Sequence, residues 1–246
     1  MASSKIAVIA GVGTGGGTGG AVARRFASEG YKVALLSRNG QALQGLSDSI
    51  KATGGLAVPF PLSVYSYSEV SNAFNSIKKE WPGDSIRVTV WNAGDGIFSP
   101  FGDITEEQLH KTVDGNVFGP FAFARESITS FKEQELDDRG SRGTLIFTGA
   151  KASLYGGVTT SAFASGKFAL RALSQSLAKE FGKQNIHVSH AIVDGFIATD
   201  RKHGKDANPD SFVHPEAIAE AYEFLTKQHR SAWTWELDLR PAHEKW

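Results

Sequence analysis

Short apolar runs alternate with amphipathic stretches along most of the chain. Seven runs have the length of a strand, and they cover residues 6–10, 32–36, 56–62, 86–91, 143–148, 186–193 and 233–239. Helical periodicity separates them, from residue 21 onwards and at about 41–52, 68–79, 105–131, 161–181 and 215–227. Strands that alternate with helices form βαβ units with right-handed crossovers, which build a parallel sheet covered on both faces. The pattern therefore predicts a single doubly wound α/β domain of about seven strands over residues 1–246.

Local signals refine these elements. Pro59 and Pro61 interrupt the third run, and proline within a sheet is confined to edges and strand ends, so this strand is not expected to be central. Thr105, followed by Glu106 and Glu107, is typical of a helix N-terminus. The long segment 196–212 contains a charged loop at 202–209, and a connection of this length predicts a flap over a substrate.

A glycine-rich turn follows the first predicted strand. It has glycines at 11, 13, 15, 16, 17, 19 and 20, and an amphipathic helix begins directly after it. Glycine permits positive φ angles and close approach, while a helix N-terminus offers N–H groups and a positive dipole end to a phosphate. Glycine-rich runs alone are more often flexible loops, but the flanking strand and helix favour phosphate binding in a Rossmann-type domain. The spacing Gly-x3-Gly-x-Gly fits both 13/17/19 and 11/15/17.

Composition narrows the classes of partner and chemistry. Lys plus Arg and Asp plus Glu both number 26 in 246 residues, so neither nucleic acid nor an anionic membrane is an expected partner. There is no cysteine, which excludes disulfides and thiolate chemistry. There is also no apolar run of transmembrane length and no signal-peptide pattern, so we expect a soluble cytoplasmic protein. His187 and His190 point to opposite faces of one strand, so no metal pair is expected. The stretch 152–156 lacks the first glycine of a nucleophile elbow, which argues against a serine hydrolase.

Five further markers follow the glycine turn in order. Residues 91–94 read Trp-Asn-Ala-Gly, Asn116 lies within the long fourth helix, and Lys167 lies near the start of the fifth. Residues 194–195 read Asp-Gly at the end of the sixth strand, and Thr199 follows. Together these residues resemble the short-chain dehydrogenase/reductase family. The family has Asn-Asn-Ala-Gly where this chain has residues 91–94, and Pro-Gly where it has residues 194–195.

The resemblance extends from Lys5 to about Leu239 and implies that the chain binds a nicotinamide dinucleotide. NAD-selective relatives carry an acidic residue at the end of the second strand, whereas this chain has Ser37 followed by Arg38, so we expect NADP(H) to be preferred over NAD(H). The cofactor contacts implied by the resemblance are Gly11, Gly13, Gly17, Gly19, Ser37, Arg38, Ser63, Val64, Asn92, Ala93, Gly94, Lys167, Asp194, Gly195, Ile197 and Thr199.

The catalytic motif departs from the family pattern. The family's Tyr-x-x-x-Lys reads Phe-Ala-Ser-Gly-Lys at residues 163–167, and the family's serine would fall near Ala150. The catalytic set implied by the resemblance is therefore incomplete, and consists of Lys167, Asn116, Ser153, Tyr155 and Phe163. Ser153 fits both a substrate hydrogen bond and a loop residue. Tyr155 fits a pocket wall or an acid, and Asn116 either anchors a water beside the lysine or is a satisfied polar group in a kinked helix.

The resemblance favours an NADP(H)-dependent oxidoreductase that transfers hydride to or from a small organic carbonyl, imine or activated alkene without a tyrosine acid. The alternative is a dinucleotide-binding protein of the same fold without redox turnover, either a sensor, a scaffold or a non-redox cyclase. The family pairs its two long helices across two-fold axes, so the helices at about 105–131 and 158–182 predict a homodimer or homotetramer. The residues that suggest this face are Phe121, Ala122, Phe168, Ala169, Ala172 and Leu173, although all of them also suit packing on the parent sheet.

Overall fold

The structure is a computed structural model that describes residues 4–94, 96–199 and 208–243. The strands of the main sheet are β1 (Lys5–Ala10), β2 (Lys32–Ser37), β3 (Leu56–Pro61), β4 (Ser85–Trp91), β5 (Gly143–Thr148), β6 (Ile186–Val193) and β9 (Glu236–Leu239), and a two-residue pair comprises β7 (Phe196–Ile197) and β8 (Phe212–Val213). The helices are α1 (Thr18–Ser28), α2 (Gly40–Ala52), α3 (Tyr67–Glu80), α4 (Glu106–Val113), α5 (Gly119–Lys132), α6 (Ser161–Phe181) and α7 (Pro215–Lys227).

The main sheet has seven parallel strands in the order β3-β2-β1-β4-β5-β6-β9. This confirms the predicted doubly wound fold, and the two-proline strand β3 lies at an edge, where its missing N–H groups cost least. The strand order reverses between β1 and β4. In open parallel sheets the carboxyl ends at such a reversal form a crevice where ligands bind, so this edge of the sheet is where a site is expected.

Two apolar cores lie on the two faces of the sheet. Side chains alternate along β1, so Ile6, Val8 and Ala10 join one core while Ala7 and Ile9 join the other. The first core is completed by α3, α5 and α6, and the second by α1, α2 and α7. Every residue of β1 from Ile6 onwards is fully buried, which explains why this strand reads as a continuous apolar run.

The helix predicted over 105–131 is present from Glu106 to Lys132, but it contains a wider turn that was not predicted. A single wide π-turn, Asp114–Phe118, separates α4 from α5. A Cβ atom on Gly119 would lie 2.7 Å from the Trp91 ring, so the indole packs where an ordinary helix would carry a side chain. Turns of this kind often occur at functional sites, and this one carries the fully buried Asn116.

Other boundaries also differ from the sequence prediction. Helix α1 begins at Thr18, earlier than predicted. Its first turn contains two glycines, and they hide the amphipathic pattern there. The last strand begins at Glu236, not at residue 233, since the Thr234 N–H donates to the Gln228 side chain and leaves the sheet ladder. The unpredicted pair β7–β8 joins the two ends of the predicted 196–212 flap. Most of the charged loop at 202–209 lies outside the described residues, and no described helix is long and apolar enough to cross a membrane.

Candidate cofactor and active site

The glycine turn forms a cradle between β1 and α1. Gly11 has a φ of 87°, and a Cβ atom there would lie 2.3 Å from the Ala93 nitrogen, so glycine is required by both conformation and space. Gly17 is the N-cap of α1, and a Cβ atom on Gly19 would lie 2.4 Å from the Gly11 carbonyl oxygen. These contacts favour the 13/17/19 register, in which the middle glycine opens the helix and the third packs it against the turn.

The end of β4 fixes this cradle from the other side. The Asn92 backbone N–H donates to the Ala10 carbonyl at 2.9 Å, and its side-chain amide donates to the Gly11 carbonyl at 2.7 Å. Ala93 then passes directly beneath Gly11, and Gly94 opens towards the next cavity. Residues 92–94 therefore form a floor under the turn.

Two cavities of about 620 and 740 Å³ meet at this edge of the sheet. They share Gly17, Thr18, Asn92 and Thr199, so they form one continuous cleft with two lobes. The first lobe is lined by the glycine turn, Ser37, Arg38 and Asn39, and the second by residues from the ends of β4, β5 and β6 together with α6 and β7. A dinucleotide, with a nucleoside at either end of a pyrophosphate, has this two-lobed form.

The remaining predicted cofactor residues divide into two groups. Asp194, Gly195 and Ile197 line the second lobe beside Thr199. Ser63 and Val64 line neither lobe, and both of their N–H groups donate to the Glu69 carboxylate, at 2.6 and 3.2 Å. Their predicted contact with the cofactor thus has no support in the geometry of the cleft.

Lys167 lies on α6 at the inner end of the second lobe. Its ammonium donates to the Thr148 carbonyl at 2.9 Å, and burial lowers its pKa from 10.5 to about 8. The Phe163 ring lies one turn earlier on the helix, with its centroid 5.8 Å from Lys167 Nζ. A buried lysine that borders a cleft is a functional-site candidate, because burying its charge destabilises the fold and such groups cluster at functional sites.

Asn116 lies beside Lys167. Its amide nitrogen donates to the Thr112 carbonyl at 3.1 Å, whereas its buried Oδ1 has no hydrogen-bond partner among the described residues. A Cβ atom on Gly94 would lie 3.5 Å from both Asn116 Oδ1 and Lys167 Nζ. The π-turn therefore delivers a buried acceptor to the same corner of the cleft as the lysine, which is the arrangement implied by the resemblance.

The three positions named for proton chemistry have different surroundings. The Phe163 and Phe98 rings are tilted against each other with their centroids 5.1 Å apart, and both residues line the second lobe. Tyr155 also lines that lobe and is half-exposed. Ser153 is fully buried, lines neither lobe, and accepts the Ala150 N–H at 3.2 Å. The geometry thus favours the loop role for Ser153 and the pocket-wall role for Tyr155.

Sequence reasoning missed part of the lining of the second lobe. Phe98, Lys151 and Phe196 border it, and Arg240 lies behind it, 2.9 Å from the Asp194 carboxylate. Lys151 could have been found from the sequence, because it directly follows Ala150, near which the resemblance puts the family's serine. The contact between Asp194 and Arg240 had no such signal, since 46 residues separate two positions that only the sheet brings together.

A glycine turn at a helix N-terminus, at the reversal point of a parallel sheet, defines a nucleotide-binding α/β protein. A family model described as short chain dehydrogenase matches residues 5–210. A solved short-chain dehydrogenase from Rhodopseudomonas palustris is 34% identical, with a TM-score of 0.79 and 98% of this chain and 100% of that chain covered. The chain therefore belongs to the short-chain dehydrogenase/reductase family, and it is an NAD(P)-dependent oxidoreductase.

Other relatives agree with this assignment. The uncharacterized oxidoreductase YuxG of Bacillus subtilis is 30% identical over 91% of this chain, which spans 35% of the length of that protein. A 3alpha-hydroxysteroid dehydrogenase of Mediterraneibacter gnavus is 27% identical, with 96% of this chain and 95% of that protein covered. The alcohol dehydrogenase of Thermococcus sibiricus, solved with 5-hydroxy-NADP, shares the fold at 23% identity, with a TM-score of 0.83 and 99% of each chain covered.

Proposed function

We propose that this oxidoreductase uses NADP(H) to transfer hydride to or from a small organic carbonyl, imine or activated alkene, without a tyrosine acid. The observation that carries the proposal is the second lobe, where Lys167 lies at the inner end and Phe163 occupies the adjacent helical turn. The resemblance places these residues at the two ends of the family's Tyr-x-x-x-Lys motif.

The residues of the cleft fit a nicotinamide dinucleotide. The N–H groups at the start of α1 and the open space beside Gly13 would hold the pyrophosphate, and buried Thr18 Oγ1, which has no hydrogen-bond partner among the described residues, faces the same place. Arg38 would hold a 2′-phosphate at the end of β2, since it lines the first lobe just beyond Ser37. The Thermococcus sibiricus relative was solved with an NADP derivative, which agrees with binding of a nicotinamide dinucleotide here but does not bear on the preference.

The bound nicotinamide supplies or accepts the hydride, and the chain positions the reactants and excludes water. Lys167 is fixed by Thr148 and points towards the corner shared with Asn116 and Gly94. With its pKa at about 8, the side chain is mostly protonated at neutral pH. Lys167 therefore presents a cation where the cofactor ribose and the reacting group of a substrate are expected.

The source of the proton is the open question that the proposed Phe163 position raises. A carbonyl that accepts hydride needs a proton on oxygen, and a positioned general acid usually contributes about 10²- to 10⁴-fold to the rate. Phe163 carries no acidic proton, and Ser153 does not line the lobe and accepts the Ala150 N–H. An iminium carbon or an activated alkene avoids oxygen protonation, and for a carbonyl the acid would be Tyr155 or a water held by Lys167 and Asn116.

Single-turnover oxidation of NADPH tests the proposal. Wild type, Lys167→Ala, Tyr155→Phe and Phe163→Tyr are mixed with NADPH and either a ketone or a cyclic imine. We expect wild type to oxidise NADPH with at least one class and Lys167→Ala to lose that turnover. If only Phe163→Tyr reduces the ketone, the native substrate is not a simple carbonyl. If wild type binds NADPH tightly and oxidises it with neither class, the protein binds the dinucleotide without redox turnover.

We also propose that the chain forms a homodimer or homotetramer. Leu109, Phe118, Phe121 and Phe168 are large apolar residues on or beside α4, α5 and α6, and each is more than two-fifths exposed. Exposed apolar patches of this kind mark interaction surfaces, and a two-fold axis would bury the same patch on both copies. Ala122 and Leu173, in contrast, are buried against the parent sheet, so part of the predicted stripe is ordinary core.

A further inference from the structure

Four charged side chains form a cluster at the wall of the second lobe. They are Lys151, Asp194, Asp238 and Arg240, and the Asp194 carboxylate at their centre is 1% exposed. Arg240 approaches it at 2.9 Å, Lys151 lies 3.6 Å from its other oxygen, and Arg240 also makes two hydrogen bonds to Asp238, at 2.8 and 2.9 Å. Because a buried carboxylate is costly unless it is paired, this cluster fixes the positions of its cations.

The two cations of the cluster have different surroundings. Arg240 is 17% exposed and lies between two carboxylates, behind the wall. Lys151 is 37% exposed and is itself one of the residues that line the lobe. Its nitrogen also lies 5.6 Å from the centroid of the Tyr155 ring. The Lys151 ammonium therefore lies near both Asp194 and the Tyr155 ring, at the wall of the lobe.

The rest of the lining indicates what that molecule is. The described lining residues with a formal charge at neutral pH are Lys151, Lys167 and Asp194, so two of these three described charges are ammonium groups. Exposed rings of Phe98, Tyr155 and Phe196 supply apolar surface around them. Aromatic rings alone would also suit a cationic ligand, but the ammonium groups of Lys151 and Lys167 would repel one.

We propose that Lys151 determines specificity by binding an anionic group, of which a carboxylate is the simplest, on a substrate whose body is apolar. The inference rests on the proposed function, because it assigns the lobe beside Lys167 to the substrate. A carboxylate accepts short charge-assisted hydrogen bonds from an ammonium. Such a bond changes affinity by roughly 10- to 100-fold relative to no bond.

Three probes of one shape separate the possible ligand classes. Isothermal titration calorimetry at neutral pH compares 3-phenylpropanoate, 3-phenylpropanamide and 3-phenylpropylammonium, with and without saturating NADPH. The protein variants are wild type, Lys151→Met, Lys151→Arg and the control Lys51→Met, which removes one positive charge from the exposed end of α2. The NADPH titration itself reports on the proposed function independently of the probes.

We expect wild type and Lys51→Met to bind the carboxylate about tenfold or more tightly than the amide, and the ammonium most weakly. Lys151→Met should abolish that preference while leaving the affinity for the amide unchanged, and Lys151→Arg should retain most of it. Equal affinity for carboxylate and amide, a preference that survives Lys151→Met, or no carboxylate binding at about 10 mM would overturn the inference. A carboxylate preference that depends on Lys151 in a protein that does not bind NADPH would uphold it and refute the proposed function.

Discussion

Replacement of Arg38 by alanine should weaken NADPH binding and leave NADH binding unchanged. Arg38 is an exposed residue that lines the first lobe directly after β2, and its guanidinium lies 6.0 Å from the centroid of the Tyr65 ring. The ring contact limits the directions that the side chain can take, so the guanidinium is partly oriented before the phosphate arrives. A charge-assisted hydrogen bond contributes about 1.5–3 kcal/mol, which corresponds to roughly a 10- to 100-fold loss of NADPH affinity in Arg38→Ala.

The assay is fluorescence titration of wild type and variants with each reduced cofactor. Arg125→Ala is a matched control, because exposed Arg125 also lies over a tyrosine, 5.6 Å from the Tyr67 ring, but lines neither lobe. The wild-type preference for NADPH should also shrink as salt rises, since the Debye length falls from about 10 Å at 0.1 M to about 3 Å at 1 M. Equal wild-type affinities for the two cofactors, or equal losses in Arg38→Ala and Arg125→Ala, would refute this reasoning.

Three further expectations concern the lysine, the turn and the assembly. Burial lowers the Lys167 pKa to about 8, so its charge destabilises the cofactor-free fold by about 3 kcal/mol below pH 8. In chemical denaturation, the free energy of unfolding of wild type should therefore rise relative to that of Lys167→Met between about pH 8 and 10.5. A difference that stays constant over this range would contradict the expectation. Gly19→Ala should lower the free energy of unfolding by about 1–3 kcal/mol and weaken NADPH binding, because the added Cβ atom would overlap the glycine turn. Gly45→Ala is the control: its Cβ atom would meet nothing within 4 Å, so this variant should be as stable as wild type or more stable. Light scattering should show that wild type is a dimer or tetramer. Phe168→Glu should disrupt this assembly, whereas the control Leu136→Glu, at a similarly exposed residue, should not. A monomeric wild type at micromolar concentration would refute the proposed assembly.

Signals that are local in sequence predicted most of the fold. The apolar run of β1 and the glycines after it reflect burial on both faces and a turn that admits no side chain at Gly11, and both constraints show in the residue types of one short stretch. The edge position of β3 followed from its two prolines for the same kind of reason. Local constraints leave a direct mark on residue type, so they can be recognised in one sequence.

Contacts between distant residues were not predictable in this way. The π-turn depends on the Trp91 ring reaching Gly119, and the orientation of Ser153 depends on the bond from Ala150 in a turn whose shape the sequence does not specify. Of the residues predicted to act in catalysis, Lys167, Tyr155 and Phe163 line the second lobe and Ser153 does not, and their roles stay predictions. The contacts of Asp194 with Lys151 and Arg240 became evident only from the packing of β5, β6 and β9.

Hydride transfer itself is the central claim, and transfer of deuterium from NADPH labelled at nicotinamide C4 measures it most directly. The labelled cofactor is incubated with the protein and a panel of ketones, cyclic imines and conjugated alkenes, and the products are analysed by mass spectrometry. We expect one deuterium per product molecule, on the carbon that accepts hydride, in wild type and none in Lys167→Ala. Tight binding of the labelled cofactor with no deuterium in any product would contradict it.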